Sequence, residues 1–194
     1  MKRNVFTLVM LALFTATSFG QGLSISASLG YEKPGGSAFT DSNGESMVGF
    51  GIHYGFDALF MINSKLGAGL SYESSALLAI SSTEFEAGLY GLGVIGAKGF
   101  YSLTDGKIKP YGALTLGAGT LSTPEISVNG TVTSPAESAM SLGMKPELGI
   151  CFGGFVINAA YVVPMGYTFD SATESVSAGG LQIGIGYRYF FMFK

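Results

Sequence analysis

The sequence is poor in cysteine, histidine, tryptophan and charge. Its 194 residues include one cysteine, one histidine and no tryptophan, and only 12% of them are charged. A lone cysteine cannot form an intramolecular disulfide, and no cluster of metal ligands surrounds Cys151. The formal net charge of −3 argues against nucleic acid as a partner, because domains that bind nucleic acid are usually basic.

Long hydrophobic runs are also missing after the first twenty residues, where no run reaches the length of about 18 that indicates a membrane-spanning helix. The sequence is nevertheless 47% hydrophobic, with 30 glycines, 10 tyrosines and 15 phenylalanines. A hydrophobic chain without membrane helices that is rich in glycine and aromatic residues is typical of a membrane β-barrel.

Residues 1–20 are predicted to be a cleaved signal peptide. Residues 1–3 are basic, residues 5–14 are apolar, and Ser18-Phe19-Gly20 is a small-x-small cleavage site. About ten apolar residues are too few to span a bilayer as a helix. Cleavage would leave eight basic and 13 acidic residues, a net charge of −5, and a single domain of residues 21–194.

The clearest strand covers residues 181–193 (LQIGIGYRYFFMF). Its odd-numbered positions are apolar or aromatic, and its even-numbered positions are mixed small, polar and apolar. Such two-residue alternation suits a wall with one face toward lipid. Similar segments lie near residues 23–32, 48–57, 66–73, 85–100, 111–120, 142–151 and 155–161. Alternation is irregular in segments 85–100 and 111–120, so we expect a β-bulge in each.

Short and long connections alternate between these eight segments. Asn63-Ser64, Asp105-Gly106 and Gly153-Gly154 are signals for tight turns. The remaining connections are longer and cover residues 33–45, 74–83, 121–138 and 165–178. The alternation predicts an all-β fold, a closed eight-stranded antiparallel transmembrane β-barrel with up-and-down meander topology. Aromatic belts are expected at Tyr31, Tyr72 and Tyr167 on the loop side and at Phe60, Phe100, Tyr101, Phe152, Phe155, Phe191 and Phe193 on the turn side.

The signal peptide, the eight amphipathic segments and the closing GIGYRYFFMF resemble the small outer-membrane barrels of the OmpW, OmpX and OmpA-transmembrane-domain type. The resemblance implies a protein of the bacterial outer membrane, surrounded by outer-membrane lipid and inserted by the barrel assembly machinery. Tyr189, Phe191 and Phe193 would then form the C-terminal assembly signal. Lys194 departs from the pattern, because such barrels usually end on the aromatic residue itself.

Five polar side chains are expected to point into the barrel: His53, Asp57, Lys145, Glu147 and Arg188. Asp57, Glu147 and Arg188 lie at one height, five residues from the ends of their segments. An eight-stranded barrel is just wide enough for side chains to fill, and buried charges must pair. We therefore expect a plug of ion pairs in which Arg188 binds Glu147, with Asp57 as a second candidate partner. The alternative is a narrow polar path that could open.

Two sequence features that occur in cofactor-binding proteins and in enzymes lack the surroundings that those functions need here. Gly91–Gly96 matches G-x-G-x-x-G, but neither a helix nor an acidic residue follows at the required distance, so no dinucleotide or other cofactor is expected. His53 could approach Ser26 or Ser28 inside the barrel, yet a closed lumen would not admit a lipid ester. The sequence therefore favours a protein that is not an enzyme.

An extracellular hairpin is predicted between the fifth and sixth barrel strands. Residues 125–133 alternate on both sides of Asn129-Gly130, a strong signal for a two-residue turn. The hairpin residues are Ile126, Val128, Asn129, Gly130 and Val132. Its open edge could bind an extracellular ligand or an envelope protein, or it could simply cover the barrel mouth.

Two functions are compatible with these patterns. The first is a closed or nearly closed barrel that serves surface interaction, adhesion or envelope integrity. The second is a narrow OmpW-like channel for small apolar molecules. Acidic residues dominate the long connections, which would favour cationic partners. A lumen filled by side chains would favour the first function, and an open lumen would favour the second.

Overall fold

The protein folds as a closed antiparallel β-barrel of eight strands. The computed structural model describes residues 22–40, 44–79, 88–128, 131–170 and 174–192. The barrel strands are β1 (Gly22–Gly35), β2 (Val48–Met61), β3 (Leu66–Ala79), β4 (Leu89–Ser102), β5 (Ile108–Thr123), β8 (Glu137–Phe152), β9 (Phe155–Tyr167) and β10 (Val176–Met192). Two further strands, β6 (Ile126–Val128) and β7 (Thr131–Ser134), form a separate hairpin, and Ser37–Phe39 is a short 3-10 helix.

Each barrel strand pairs with the next along the chain, and β1 closes the barrel by pairing with β10. The predicted fold class and meander topology are confirmed. Within the described residues, no helix has the length and apolar character needed to cross a membrane.

The outer surface of the barrel is an apolar belt. Side chains alternate along each strand, so that Ile25 and Leu29 of β1 are exposed while Ser24 and Ser26 are buried. Leu148 is 71% exposed, and Phe155 and Ile185 are each 67% exposed. A continuous surface of such residues with no second sheet over it requires an apolar solvent, which only lipid provides.

The three predicted short turns join β2 to β3, β4 to β5 and β8 to β9. Gly153 and Gly154 have φ values of 57° and 94°. A two-residue type I′ hairpin turn requires a positive φ at both central residues, and glycine adopts positive φ values freely. In the first turn, Asn63 Oδ1 accepts hydrogen bonds from the backbone N–H groups of Lys65 (2.9 Å) and Leu66 (2.7 Å).

For the described residues, the predicted bulges in segments 85–100 and 111–120 are wrong, because β4 pairs with β3 and β5, and β5 with β8, without a register shift. Residues 85–87 lie outside the described residues. Register shifts occur instead at Val48/Phe50, between β2 and β3, and at Ala178/Gly180, between β10 and β9. An extra residue in a strand reverses the faces beyond it. Val48, which alternation placed toward lipid, is consequently buried.

Two predicted belt aromatics also point inward. Phe100 lies on the face of β4 that carries Lys98 and Ser102 into the lumen, and it is buried. Tyr167 lies at the end of β9, beyond the register shift with β10, and it is also buried. Both rings fill the interior instead of anchoring the barrel at the membrane surface.

Candidate functional site

The barrel interior has three layers along the barrel axis. A polar layer, here called the central network, lies between two apolar clusters. The loop-end cluster consists of Phe39, Val48, Leu77, Leu92, Val94, Leu121, Ala139, Val162, Tyr167, Phe169 and Ala178. The turn-end cluster consists of Leu59, Met61, Phe100, Tyr111, Cys151 and Val156. The arrangement closes the central network off from both mouths of the barrel.

Phe39 brings the first long connection into the loop end of the barrel. Its ring is 1% exposed and meets the ring of Tyr90 edge-on, with 5.8 Å between centroids. Ser37 and Ser177 fix the 3-10 helix through two reciprocal bonds, in which each backbone N–H donates to the other residue's Oγ at 3.0 and 2.9 Å. Sequence reasoning treated residues 33–45 as an outer loop, although Phe39 is their sole large apolar residue.

Lys98 is the centre of the central network. Its Nζ lies 2.8 Å from Asp57 Oδ2 and 2.7 Å from Glu147 Oε2, and its side chain is buried. Lys145 Nζ binds Glu73 and lies 3.4 Å from Glu147 Oε2. These contacts join β2, β3, β4 and β8 through buried charges, and buried ion pairs are screened little.

Neutral donors complete the carboxylate shells. Asp57 accepts hydrogen bonds from Ser26 Oγ at 3.0 Å and from Ser71 Oγ at 2.7 Å. Glu147 Oε1 accepts one from Tyr111 Oη at 2.7 Å and one from Asn158 Nδ2 at 3.2 Å. Such bonds offset the loss of hydration that burial imposes on each carboxylate.

Arg188 lies between the central network and the turn-end cluster. Its guanidinium carbon is 4.4 Å from the ring centroid of Phe100 and 4.9 Å from that of Tyr111. Within the described residues its ion pair is with Asp57, at 3.5 Å, and not with Glu147. The predicted Arg188–Glu147 pair is therefore wrong, because Lys98, which was not among the predicted interior residues, pairs with Glu147 instead.

His53 lies at the loop-side edge of the central network. It is buried against the backbones of Gly30 and Gly184, where a larger side chain would collide with its ring. Nearby, Glu32 accepts hydrogen bonds from Ser75 Oγ and, at 3.0 Å, from Gln182 Nε2. Within the described residues no hydrogen bond joins His53 to Ser26 or Ser28, so the two serines do not form a dyad with it.

Little space remains between these side chains. A cavity of about 10 Å³ lies among Ser26, Asp57, Lys98, Glu147 and Arg188, enough for about one water molecule. Across the described residues, no group of three or more histidine, cysteine or acidic side chains is placed to hold a metal ion.

No family model matches the sequence, and neither does any curated protein. Solved structures do match. The attachment invasion locus protein Ail of Yersinia pestis, solved with the heparin analogue sucrose octasulfate, is 21% identical over 87% of this chain and 99% of its own, with a TM-score of 0.57. This chain has the fold of the small outer-membrane β-barrel proteins.

Two further solved barrels support that identification. Neisserial surface protein A is 17% identical over 86% of this chain and 97% of its own, with a TM-score of 0.55. The outer membrane protein OprG of Pseudomonas aeruginosa is 14% identical over 88% of this chain and 97% of its own, with a TM-score of 0.51. Structural matches at identities this low establish the fold of this chain alone and leave its function open.

The predicted outer hairpin of this barrel is built from β6 and β7, which pair from Ile126–Ser134 to Val128–Thr131. Asn129 and Gly130 lie between the two strands and outside the described residues. In the described part of the chain, these two strands pair only with each other, so neither outer edge of the hairpin is paired with another described strand.

The predicted assembly signal lies at the C-terminal end of β10, the strand that pairs with β1 to close the barrel. Tyr189 and Phe191 point outward from β10, with 4.6 Å between their ring centroids. Phe193 and Lys194 are outside the described residues, as are residues 1–21 with the predicted signal peptide.

Proposed function

We propose that this protein is a closed barrel of the bacterial outer membrane whose long connections mediate surface interactions. The observation that carries the proposal is the filled interior, in which two apolar clusters enclose a network of ion pairs. A conduit needs a continuous path between the two mouths, whereas the cavity that the described residues leave within the central network is about the size of one water molecule.

Opening such a barrel would require several changes at once. Phe39 would have to leave the loop end, and Lys98 would have to separate from Asp57 and Glu147. Breaking buried ion pairs leaves uncompensated charges, which is strongly unfavourable. An OmpW-like channel for apolar molecules consequently has less support, and the likeness to OprG concerns the fold alone.

The β6–β7 hairpin is the strongest candidate for a contact surface. Its open edges can accept an extended segment of another protein through backbone hydrogen bonds. Glu125, Asp170 and Glu174 are exposed on the same side of the barrel. Negative charge there favours a partner with a basic surface. A polyanion such as the sucrose octasulfate bound by Ail suits this surface poorly.

Conductance across a planar bilayer tests the closed barrel. Refolded protein should insert, as shown by a shift between unheated and boiled samples on a detergent gel, and should give no single-channel steps. Stable, reproducible openings of the inserted protein would contradict the proposal and support the channel.

Binding to cells or to extracellular matrix tests the contact surface. Deleting residues 126–132 should leave the gel shift intact and abolish binding. Glu125→Gln combined with Glu174→Gln should weaken binding, while Asp105→Asn on the turn side is the matched control and should not. Equal binding by the deletion variant would leave the hairpin as a cover for the barrel mouth.

A further inference from the structure

Among the described residues, the neighbouring strands β8 and β9 pair with each other along only part of the barrel wall. β8 and β9 pair for only six residue pairs, from Phe152–Phe155 at the turn to Glu147–Ala160. Beyond that point β8 continues to Glu137 and β9 to Tyr167, and each is still paired on its other side, with β5 and β10. We call residues 138–146 of β8 and 161–167 of β9 the seam.

Pro146 explains where the seam begins. Phe152 and Phe155 close a two-residue turn, so they form a hydrogen-bonded pair. Such pairs alternate along an antiparallel ladder, and even-numbered residues of β8 therefore direct their N–H groups toward β9. The next donor in line belongs to position 146, and proline has none. The same ring obstructs an incoming strand, because proline on an edge blocks pairing.

A groove of about 420 Å³ lies where the pairing stops. Pro146, Leu148, Tyr161 and Leu181 line it, and the small residues Gly112 and Ala159 give it depth. The groove opens on the lipid-facing side of the wall. Glu147 is the charged residue that touches it, and its carboxylate is already bound to Lys98 inside the barrel.

Tyr167 covers the upper part of the seam on its inner side. Its hydroxyl lies over the backbone of Gly119, where a Cβ atom would come within 2.5 Å of it, and Gly143 packs beside Gly119 on the neighbouring strand. Tyr167 and Val162 belong to the loop-end cluster. The upper part of the seam is therefore closed toward the lumen by the loop-end cluster.

The seam lies within the apolar belt. Met140 and Leu142, on the unpaired part of β8, are 69% and 64% exposed and continue the row of Leu148 and Ile150. Apolar walls at this depth fit an acyl chain and would not hold water. Higher in the seam, the pairing among the described residues does not join Leu142 and Met144 to β9, and ester or phosphate oxygens of a lipid can accept hydrogen bonds from N–H groups that face that side.

We propose that the seam is a binding site for one membrane lipid, with an acyl chain in the groove at Pro146, Ala159 and Tyr161 and its ester or phosphate group along the unpaired edge of β8. The head group of the lipid lies nearer the long connections than the end of its acyl chain, since the seam runs from the groove toward those connections. This site is independent of the proposed surface interaction, so either can fail alone.

Native mass spectrometry of the refolded chain in micelles containing phosphatidylethanolamine tests the site. The parent chain should retain one lipid, and Ala159→Phe should reduce the lipid-bound fraction about tenfold by filling the groove. Ala97→Phe is the matched control, because Ala97 is an exposed alanine of β4 on the same outer face, and it should retain the lipid. Equal retention by both variants, or a second copy of the chain in place of lipid, would overturn the proposal.

A fluorescence experiment covers the case in which Ala159→Phe does not fold. The sequence contains no tryptophan, so one introduced tryptophan reports alone. Tyr161→Trp in micelles loaded with phospholipid brominated on its acyl chains should stay quenched after dilution into lipid-free detergent. Tyr72→Trp, an exposed aromatic position of β3, should recover its emission. Recovery at both positions would show that no lipid is held at the seam.

Discussion

Lys98 and Glu147 form a buried ion pair across a strand, with Nζ 2.7 Å from Oε2, although β5 separates β4 from β8 in the wall. The curvature of a narrow barrel brings the two side chains together above the intervening strand. Because Lys98 also binds Asp57 on β2, a single ammonium group neutralises carboxylates from two other strands.

Replacing Lys98 by methionine should therefore lower the free energy of unfolding by about 3–5 kcal/mol, since two buried carboxylates lose their shared cation. Urea unfolding in lipid vesicles measures the change. Lys65→Met is the matched control, because Lys65 pairs with Asp105 on the exposed turn side at 3.4 Å and should change the midpoint little. Equal midpoints for parent and Lys98→Met would show that the interior is hydrated.

Phe39→Ala should destabilise the barrel by about 3–5 kcal/mol, the usual loss when a buried phenylalanine is truncated. Its conductance should stay at baseline, because the central network still blocks the lumen. Phe56→Ala is the control and should lose less, since Phe56 faces lipid. Channel openings in Phe39→Ala would instead identify the first connection as the sole barrier.

Two glycines of one turn should respond differently to alanine. Both Gly153 and Gly154 have positive φ values, so each substitution should introduce about 1–2 kcal/mol of backbone strain. A Cβ atom at Gly154 would also meet the Tyr187 ring at 2.7 Å, whereas Gly153 faces open space. Gly154→Ala should consequently unfold at lower urea than Gly153→Ala, and the reverse order would contradict the described turn.

Alternation predicted the fold well because the lipid-facing residues obey it over most of each strand. The short turns were equally readable, since Asn63 and Gly153-Gly154 have a local conformational reason to be there. Contacts inside the barrel were less readable, because they depend on register between strands. Two successive pairings place Lys98 level with Lys145, two residues from Glu147, and no local sequence pattern encodes the combined register of three strands.

Failures of alternation have physical causes as well. Val48 faces inward because of a register shift, and the parity of the segment gives no sign of it. Phe39 belongs to a connection, where no periodicity exists to interpret. Its size among small and polar neighbours was the one available signal, because a large apolar side chain in a polar loop usually finds cover.

The final prediction concerns the loss of Arg188, whose ion pair is with Asp57. A buried arginine that was the sole partner of a carboxylate would leave that carboxylate uncompensated on removal. Asp57, however, keeps Lys98, Ser26 and Ser71 when Arg188 is lost. Arg188→Ala should therefore destabilise less than Lys98→Met.

Two variants of Arg188 distinguish the contribution of its charge from that of its stacking on aromatic rings. Its guanidinium lies over Phe100 and Tyr111, and a desolvated contact of this kind contributes about 2 kcal/mol. Arg188→Lys keeps the charge but loses the planar group, so its unfolding midpoint should fall between those of the parent and Arg188→Ala.

Double-mutant cycles compare the two cations that contact Asp57. The cycle of Arg188→Ala with Asp57→Asn should give a smaller coupling energy than the cycle of Lys98→Met with Asp57→Asn. If Arg188 couples to Asp57 more strongly than Lys98 does, then Arg188 and not Lys98 is the main cation of the network.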